Sequence, residues 1–94
     1  MKVAYSKRAL TDLQYIAAYY ATVSDPRVAA AVAASIGRVV ARIARYPESG
    51  RAVVQRPGVR VVLLPRYRYK IFYRTSGDSI RIVHIRHTSR RPWP

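Results

Sequence analysis

The first third of the chain shows apolar residues at three- and four-residue spacing, which predicts a helix. Residues 2–5 alternate between polar and apolar as a short strand does, and Ser6 can then cap a helix ending near Ala21. The helix is expected to bury one apolar face, formed by Leu10, Leu13, Ile16, Ala17 and Tyr20. The polar residues of this helix are expected to face water, and they are Lys7, Arg8, Asp12 and Gln14.

A second, longer helix follows a connection at residues 22–25. Asp25 as N-cap and Pro26 as the first helical residue predict its start. Proline has no backbone N–H, but at the first helical position an N–H would have no partner within the helix. Its apolar stripe consists of Ala29, Val32, Ile36, Val39, Val40 and Ile43, and Arg38, Arg42 and Arg45 lie on the opposite side. Gly37 inside the helix costs about 1 kcal/mol relative to alanine, which a close crossing with the first helix would offset. Pro47 and Gly50 end the helical pattern.

The second half of the chain changes to a period of two. Residues 59–64, 67–74 and 79–86 alternate as three strands, and residues 76–78 fit a tight hairpin turn. The element order is therefore strand, helix, helix, strand, strand, strand. We expect an α+β fold in which a helical hairpin packs on a mainly antiparallel sheet, with residues 1–94 forming a single domain.

Alternation also predicts what each face of the sheet carries. In the strand at 67–74, Tyr67, Tyr69, Ile71 and Tyr73 share one side, and Arg68, Lys70, Phe72 and Arg74 share the other, solvent-facing side. The predicted basic surface of the sheet consists of Arg60, Arg68, Lys70, Arg74, Arg81 and Arg86. Such a surface suits nucleic acid, although cationic strands also protect a sheet from edge-to-edge aggregation.

Charge and composition narrow the classes of function. The chain has 18 Lys and Arg against 4 Asp and Glu, a formal charge of +14, which predicts a phosphate-bearing or acidic partner. It has no cysteine and begins with no uninterrupted apolar run, so we expect a cytoplasmic protein without disulfides and without membrane association. His84 and His87 lie three residues apart in one strand, on opposite faces, so we predict neither a metal site nor a cofactor.

Four stretches, taken in order, resemble a known family. They are residues 3–6 leading into Ala9 and 12–13, residues 43–51, residues 58–60, and residues 69–74 followed by 80–87 and Arg90. Together they span nearly the whole chain and are similar to the RelE/ParE superfamily of toxins from type II toxin–antitoxin systems. The resemblance implies a toxin that a cognate antitoxin neutralises.

The resemblance leaves two mechanisms open, and they decide whether the protein is an enzyme. A RelE-like toxin is a ribosome-dependent mRNA endoribonuclease. For that branch the resemblance implies Glu48 as base, His87 as acid and Lys70, with Arg68 or Arg60, as the phosphate clamp. A ParE-like toxin blocks DNA gyrase and needs no acid–base pair. The largely apolar strand after Arg60 and the blocks at 69–74 and 87–90 are closer to the ParE-like branch.

The C-terminal residues extend the predicted binding surface. Arg90 and Arg91 join the sheet residues as candidates for target or nucleic-acid binding, and Trp93 beside two prolines is expected to pack or to stack. A third reading is a nucleic-acid-binding module without toxicity. It predicts a steep salt dependence of binding and no effect on growth.

Overall fold

Two helices and five strands form the part of the chain, residues 1–89, that a computed structural model describes. The elements are β1 Lys2–Tyr5, α1 Lys7–Val23, α2 Pro26–Arg45, β2 Arg51–Ala52, β3 Val59–Leu63, β4 Tyr69–Ser76 and β5 Ser79–His87. The predicted α+β order is confirmed, and the two-residue β2 is an addition that was not predicted. Arg90, Arg91 and Trp93 lie outside the described residues.

Side-chain caps fix where both helices begin. The Ser6 hydroxyl accepts from the Ala9 N–H at 3.0 Å and donates to the Val83 carbonyl at 2.9 Å, so the start of α1 is tied to β5. Asp25 accepts from the Arg27 N–H at 2.7 Å. α1 continues two residues beyond the predicted end, because the Ser24 N–H still donates to the Tyr20 carbonyl at 3.1 Å.

The sheet has the strand order β1-β5-β4-β3-β2 and is mainly antiparallel, as predicted. Within residues 1–89, β1 and β5 form the one parallel pair of this sheet, because the helical hairpin separates β1 from the later strands. Gly77, with φ of +59°, and Asp78 make the tight turn between β4 and β5. A register shift between Phe72 and Tyr73 leaves Val83 as an extra residue in β5.

The core lies between the helices and one face of the sheet. Its largest fully buried side chains are Tyr73, Ile43, Leu64, Ile71, Ile80, Ile82, Val32 and Val59, of which Val59 alone lies outside the main cluster. The apolar stripe predicted for α2 is confirmed at Val32, Ile36, Val40 and Ile43.

Three predictions for the helices are wrong. Leu10 is 49% exposed and Ala17 is exposed, because the inward face of α1 is set by Ala9 and Ile16, which are buried. Gly37 does not serve a helix crossing, since it is exposed and a Cβ built on it would meet nothing within 4 Å.

Candidate target-binding site

The face of the sheet that points away from the helices carries four of the six predicted binding residues that lie within residues 1–89. Strand alternation places Lys70, Phe72 and Arg74 of β4 on this side, and register adds neighbours from the other strands. We call it the open face, and it comprises Arg51, Val59, Val61, Leu63, Lys70, Phe72, Arg74, Arg81, His84 and Arg86.

Two like-charged pairs stand on neighbouring strands of the open face. Lys70 is directly opposite Arg86, and Arg74 is directly opposite Arg81. Side chains in such positions start about 5 Å apart, and like charges there destabilise a sheet. The two pairs are four residues apart along β4, or roughly 13 Å. Because an anion bound between the cations would relieve this repulsion, the open face is suited to a negatively charged partner.

Between the charged pairs the open face is apolar. Phe72 is 7% exposed and stacks on His84 with ring centroids 6.2 Å apart, so the prediction that Phe72 faces solvent is wrong. The alternation itself was correct, but the neighbouring strands bury the ring. A depression of about 240 Å³ beside it is lined by residues 51–55, Val61, Lys70 and Phe72.

Arg60 does not belong to the open face, contrary to prediction. It pairs with Tyr73 and therefore projects to the helix side of the sheet. Its Nη1 donates to the Gly50 carbonyl at 2.7 Å, so this half-buried guanidinium holds the loop after α2.

Strand alternation does not assign Arg68 to the open face. It precedes β4 with φ of +59°, in the left-handed region, and its carbonyl accepts from the Thr88 N–H at 2.7 Å. Because the backbone departs from strand geometry there, the alternation that was extrapolated through Arg68 does not apply.

The acid and the clamp implied for a nuclease lie on opposite faces of the sheet, and the base lies in the loop after α2. Glu48 is exposed in a loop that is fixed by Tyr73, whose hydroxyl donates to the Pro47 carbonyl at 2.7 Å and accepts from the Gly50 N–H at 2.9 Å. His87 is on the helix side opposite Tyr69, with ring centroids 5.2 Å apart, whereas Lys70 is on the open face. Tyr69, which contacts His87, and Tyr73, which holds the Glu48 loop, are four residues, or roughly 13 Å, apart in β4.

An Asp–His pair that was not predicted ties α1 to the edge of β5. One carboxylate oxygen of Asp12 lies 2.6 Å from Nδ1 of His84 and accepts from the Ile85 N–H at 2.9 Å. Asp12 therefore does not simply face water, because β1 ends at Tyr5 and leaves this stretch of β5 to be covered by α1. Asp12 and His84 are 72 positions apart, so only the fold brings them together. A signal in the sequence is that Asp12 borders the apolar face of α1, next to Leu13.

Burial lowers the pKa of His84 below its ordinary value, and the charges of Arg8 and Arg86 lower it further. The hydrogen bond and the charge of Asp12 act in the opposite direction without reversing the shift. His84 is therefore neutral at pH 7, with Nδ1 donating to Asp12 and Nε2 facing Arg86 Nη1 at 3.4 Å.

A groove of about 840 Å³ runs between α1 and the end of β5. Four tyrosines line it, of which Tyr15 and Tyr19 on α1 are 71% and 56% exposed. The remaining two are Tyr20 and Tyr69. Aromatic side chains of this kind provide apolar contact area together with a polar tip, which is the composition of protein-binding surfaces.

Residues 1–89 contain no group of three or more His, Cys, Asp or Glu side chains that could hold a metal ion. In the same part of the chain no helix has the length and apolarity needed to cross a membrane.

Comparisons with known proteins agree on one family. The family model described as ParE toxin of type II toxin-antitoxin system, parDE, matches residues 3–92. The protein named "Putative toxin Y4kP" of Sinorhizobium fredii (strain NBRC 101917 / NGR234) is 37% identical over 97 residues, covering 99% of this chain and 93% of that protein.

Solved structures show the same fold. A chain of the chromosomal ParDE TA system from P. aeruginosa superposes with a TM-score of 0.82 at 25% identity, over 95% of this chain and 97% of that one. The isolated E. coli RelE toxin superposes with a TM-score of 0.67 at 12% identity, over 97% of this chain and 87% of that one, and this likeness concerns the fold alone. From the family match over nearly the whole sequence, together with these relatives, the chain belongs to the ParE toxin family of type II toxin–antitoxin systems.

Proposed function

We propose that this protein acts in the cytoplasm as the toxin of a type II system, arrests growth by poisoning DNA gyrase, and is neutralised by a cognate antitoxin. Family membership supports the toxin role. The choice of gyrase over messenger RNA depends on one observation, that Lys70 and His87 lie on opposite faces of the sheet. Metal-free RNA cleavage needs a base, an acid and a cation around the same phosphate, within hydrogen-bond reach. A stoichiometric inhibitor has no such requirement.

The open face is the surface proposed to contact the target. Its cations form like-charged cross-strand pairs, and its centre is apolar, which is the combination that specific protein interfaces use. Lys70, Arg74 and Arg81 are exposed, so they are available to a partner.

The antitoxin is proposed to use the open face and the tyrosine-lined groove beside α1. An acidic segment would neutralise the cations, and an apolar stretch would cover Tyr15 and Tyr19. Contact with both regions would keep the toxin from its target.

The decisive experiment compares two sets of substitutions in the induced toxin without antitoxin. The open-face triple is Lys70→Gln, Arg74→Gln and Arg81→Gln, and the acid–base double is Glu48→Gln and His87→Gln. The readouts are growth, supercoiling by purified gyrase and primer extension on translated messages.

If the proposal holds, the wild-type protein and the acid–base double abolish supercoiling. The open-face triple should then need a concentration roughly tenfold or more higher to inhibit gyrase equally. Message cleavage that the acid–base double eliminates would replace gyrase poisoning with the nuclease mechanism. Unimpaired growth with the wild-type protein would leave a binding module without toxicity.

A further inference from the structure

The outer face of α2 carries a row of arginines that the proposed function does not use. Arg38, Arg42 and Arg45 are all exposed and follow a spacing of four and three residues. At 100° per residue they fall within about 60° of one another around the helix, and they extend over roughly 10 Å along its axis. We call these three residues, with Tyr46, the arginine stripe.

The surroundings of the stripe contain nothing that balances its charge. α2 has no acidic residue in its 20 positions, and its N-cap Asp25 is paired with Arg27 at 3.0 Å. Within residues 1–89, no acidic side chain lies within 4 Å of the charged groups of Arg38, Arg42 or Arg45. An outer helix face that served only solubility would mix both signs of charge.

Tyr46 holds one end of the stripe in place. The guanidinium carbons of Arg42 and Arg45 lie 5.7 and 5.8 Å from the centre of the Tyr46 ring, which is itself 52% exposed. Such cation–π contacts restrict the two side chains without occupying the hydrogen-bonding edges of their guanidinium groups. Less conformational freedom is then lost when an anion binds.

The chemistry around the stripe favours nucleic acid over protein as the occupant. The exposed residues between and before the arginines are small, as at Ala34, Gly37 and Ala41. Among the described residues of this surface, Tyr46 at one end is therefore the single large ring, whereas protein interfaces cluster several large apolar side chains. Phosphate-backbone binding needs no such side chains and depends on guanidinium groups presented in a row. Small neighbours also let a wide duplex approach closely.

We propose that the arginine stripe, Arg38, Arg42 and Arg45 with Tyr46, binds the phosphate backbone of double-stranded DNA without sequence preference. The stripe is on the helix layer, whereas the open face is on the opposite side of the sheet, so the two surfaces can be occupied together. This DNA contact is additional to gyrase poisoning and does not depend on it.

The test measures binding of a fluorescent 20-base-pair duplex by anisotropy at a series of NaCl concentrations, with no gyrase present. The stripe triple Arg38→Gln, Arg42→Gln and Arg45→Gln is compared with a dispersed triple that removes the same charge, Lys2→Gln, Lys7→Gln and Arg66→Gln. All six residues are exposed, and glutamine keeps the helix propensity of the replaced residues, so both variants should remain folded.

We expect the stripe triple to lower the slope of log K against log salt by about 2 to 3 and to weaken binding roughly tenfold or more at 100 mM NaCl. The dispersed triple should retain most of the wild-type slope. Equal losses in both variants would show that net charge alone attracts DNA and would overturn the proposal. The proposal would also be overturned if the stripe triple bound the duplex as tightly as the wild-type protein does. The same holds if the wild-type protein bound a glutamate-rich peptide more tightly than the duplex at 150 mM NaCl.

A second measurement is independent of binding strength. Titration of the unlabelled duplex into the ¹⁵N-labelled wild-type protein should shift the Nε–Hε signals of Arg38, Arg42 and Arg45 before those of Arg74 and Arg81. The reverse order would place the DNA on the open face and contradict the proposal.

Discussion

At the scale of single residues, the hydroxyl of Tyr73 determines how the chain leaves α2. It is fully buried, donates to Pro47 and accepts from Gly50, while Arg60 holds the Gly50 carbonyl from the neighbouring strand. A Cβ on Gly50 would lie 2.5 Å from the same hydroxyl, so only glycine fits. The family resemblance implied nuclease roles for Arg60 and Glu48. In the structure, a buried tyrosine organises Arg60 and the loop that contains Glu48.

Replacing Tyr73 with phenylalanine tests this role. The substitution leaves a buried N–H and a carbonyl without their partner, and we expect the free energy of unfolding in urea to fall by about 1–3 kcal/mol. Tyr15→Phe is the matched control, since Tyr15 is 71% exposed, and it should change stability by less than about 0.5 kcal/mol. Equal stability of the two variants would mean that the loop is held by other contacts.

At the scale of elements, the attachment of α1 to β5 depends on a polar contact as well as on packing. β1 covers β5 only as far as Ile82, and beyond it Asp12 accepts hydrogen bonds from both the backbone and the His84 ring. The groups that face His84 are Asp12 and Arg8 from α1, Arg86 from its own strand, and the Phe72 ring from β4. This contact makes the docking of α1 sensitive to protonation.

We expect the free energy of unfolding to fall as the pH drops below the ordinary histidine pKa of 6.5. The pKa of His84 is lowered in the folded state, so in that range the unfolded chain binds the proton more readily and stability rises with pH. The contribution of neutral His84 to the free energy of unfolding is complete above about pH 6.5 and is lost as the pH falls towards the folded-state pKa.

Urea unfolding between pH 7.5 and 5 measures this dependence. His84→Asn, which keeps a donor for Asp12 but does not titrate, should have a flatter profile than the wild-type protein. His87→Asn is the control and should retain the wild-type slope. A profile that His84→Asn leaves unchanged would assign the pH dependence to other groups.

At the scale of the whole molecule, the charge of +14 is distributed over both layers. One set of cations is on the open face and another on α2, and few acids are available to offset either. The fold therefore tolerates repulsion on two sides. The distribution differs from the single basic surface that the sequence predicted, because the exposed arginines of α2 form a second group of cations.

We expect the melting temperature to rise with NaCl concentration between 10 and 500 mM, since salt screens the repulsion between exposed cations. If screening contributes about 1 kcal/mol, the rise is about 4–8 °C for a domain of this size. The dispersed triple Lys2→Gln, Lys7→Gln and Arg66→Gln should show a smaller rise. A melting temperature that falls with salt would show that attractive pairs dominate instead.

Much of the fold could be predicted because its signals are local. The N-caps Ser6 and Asp25, the apolar stripe of α2, and the alternation in β4 each depend on neighbouring residues, and the structure confirms them. Leu10 was assigned wrongly because several helical faces of α1 are apolar, and only packing selects one of them. The two-residue β2 carries too little pattern to be recognised.

The sequence by itself determined the element order, the alternation that assigns Lys70 and Arg74 to one face, the excess of cations and the resemblance to a toxin family. Tertiary structure alone decided that Arg60 holds a loop, that Asp12 meets His84, and how the loop with Glu48 is held. The physical reason is that periodicity fixes the direction of a side chain within its own element. Contacts between elements depend on strand register, on where β1 ends and on how α1 lies across the exposed part of β5, which no local pattern encodes.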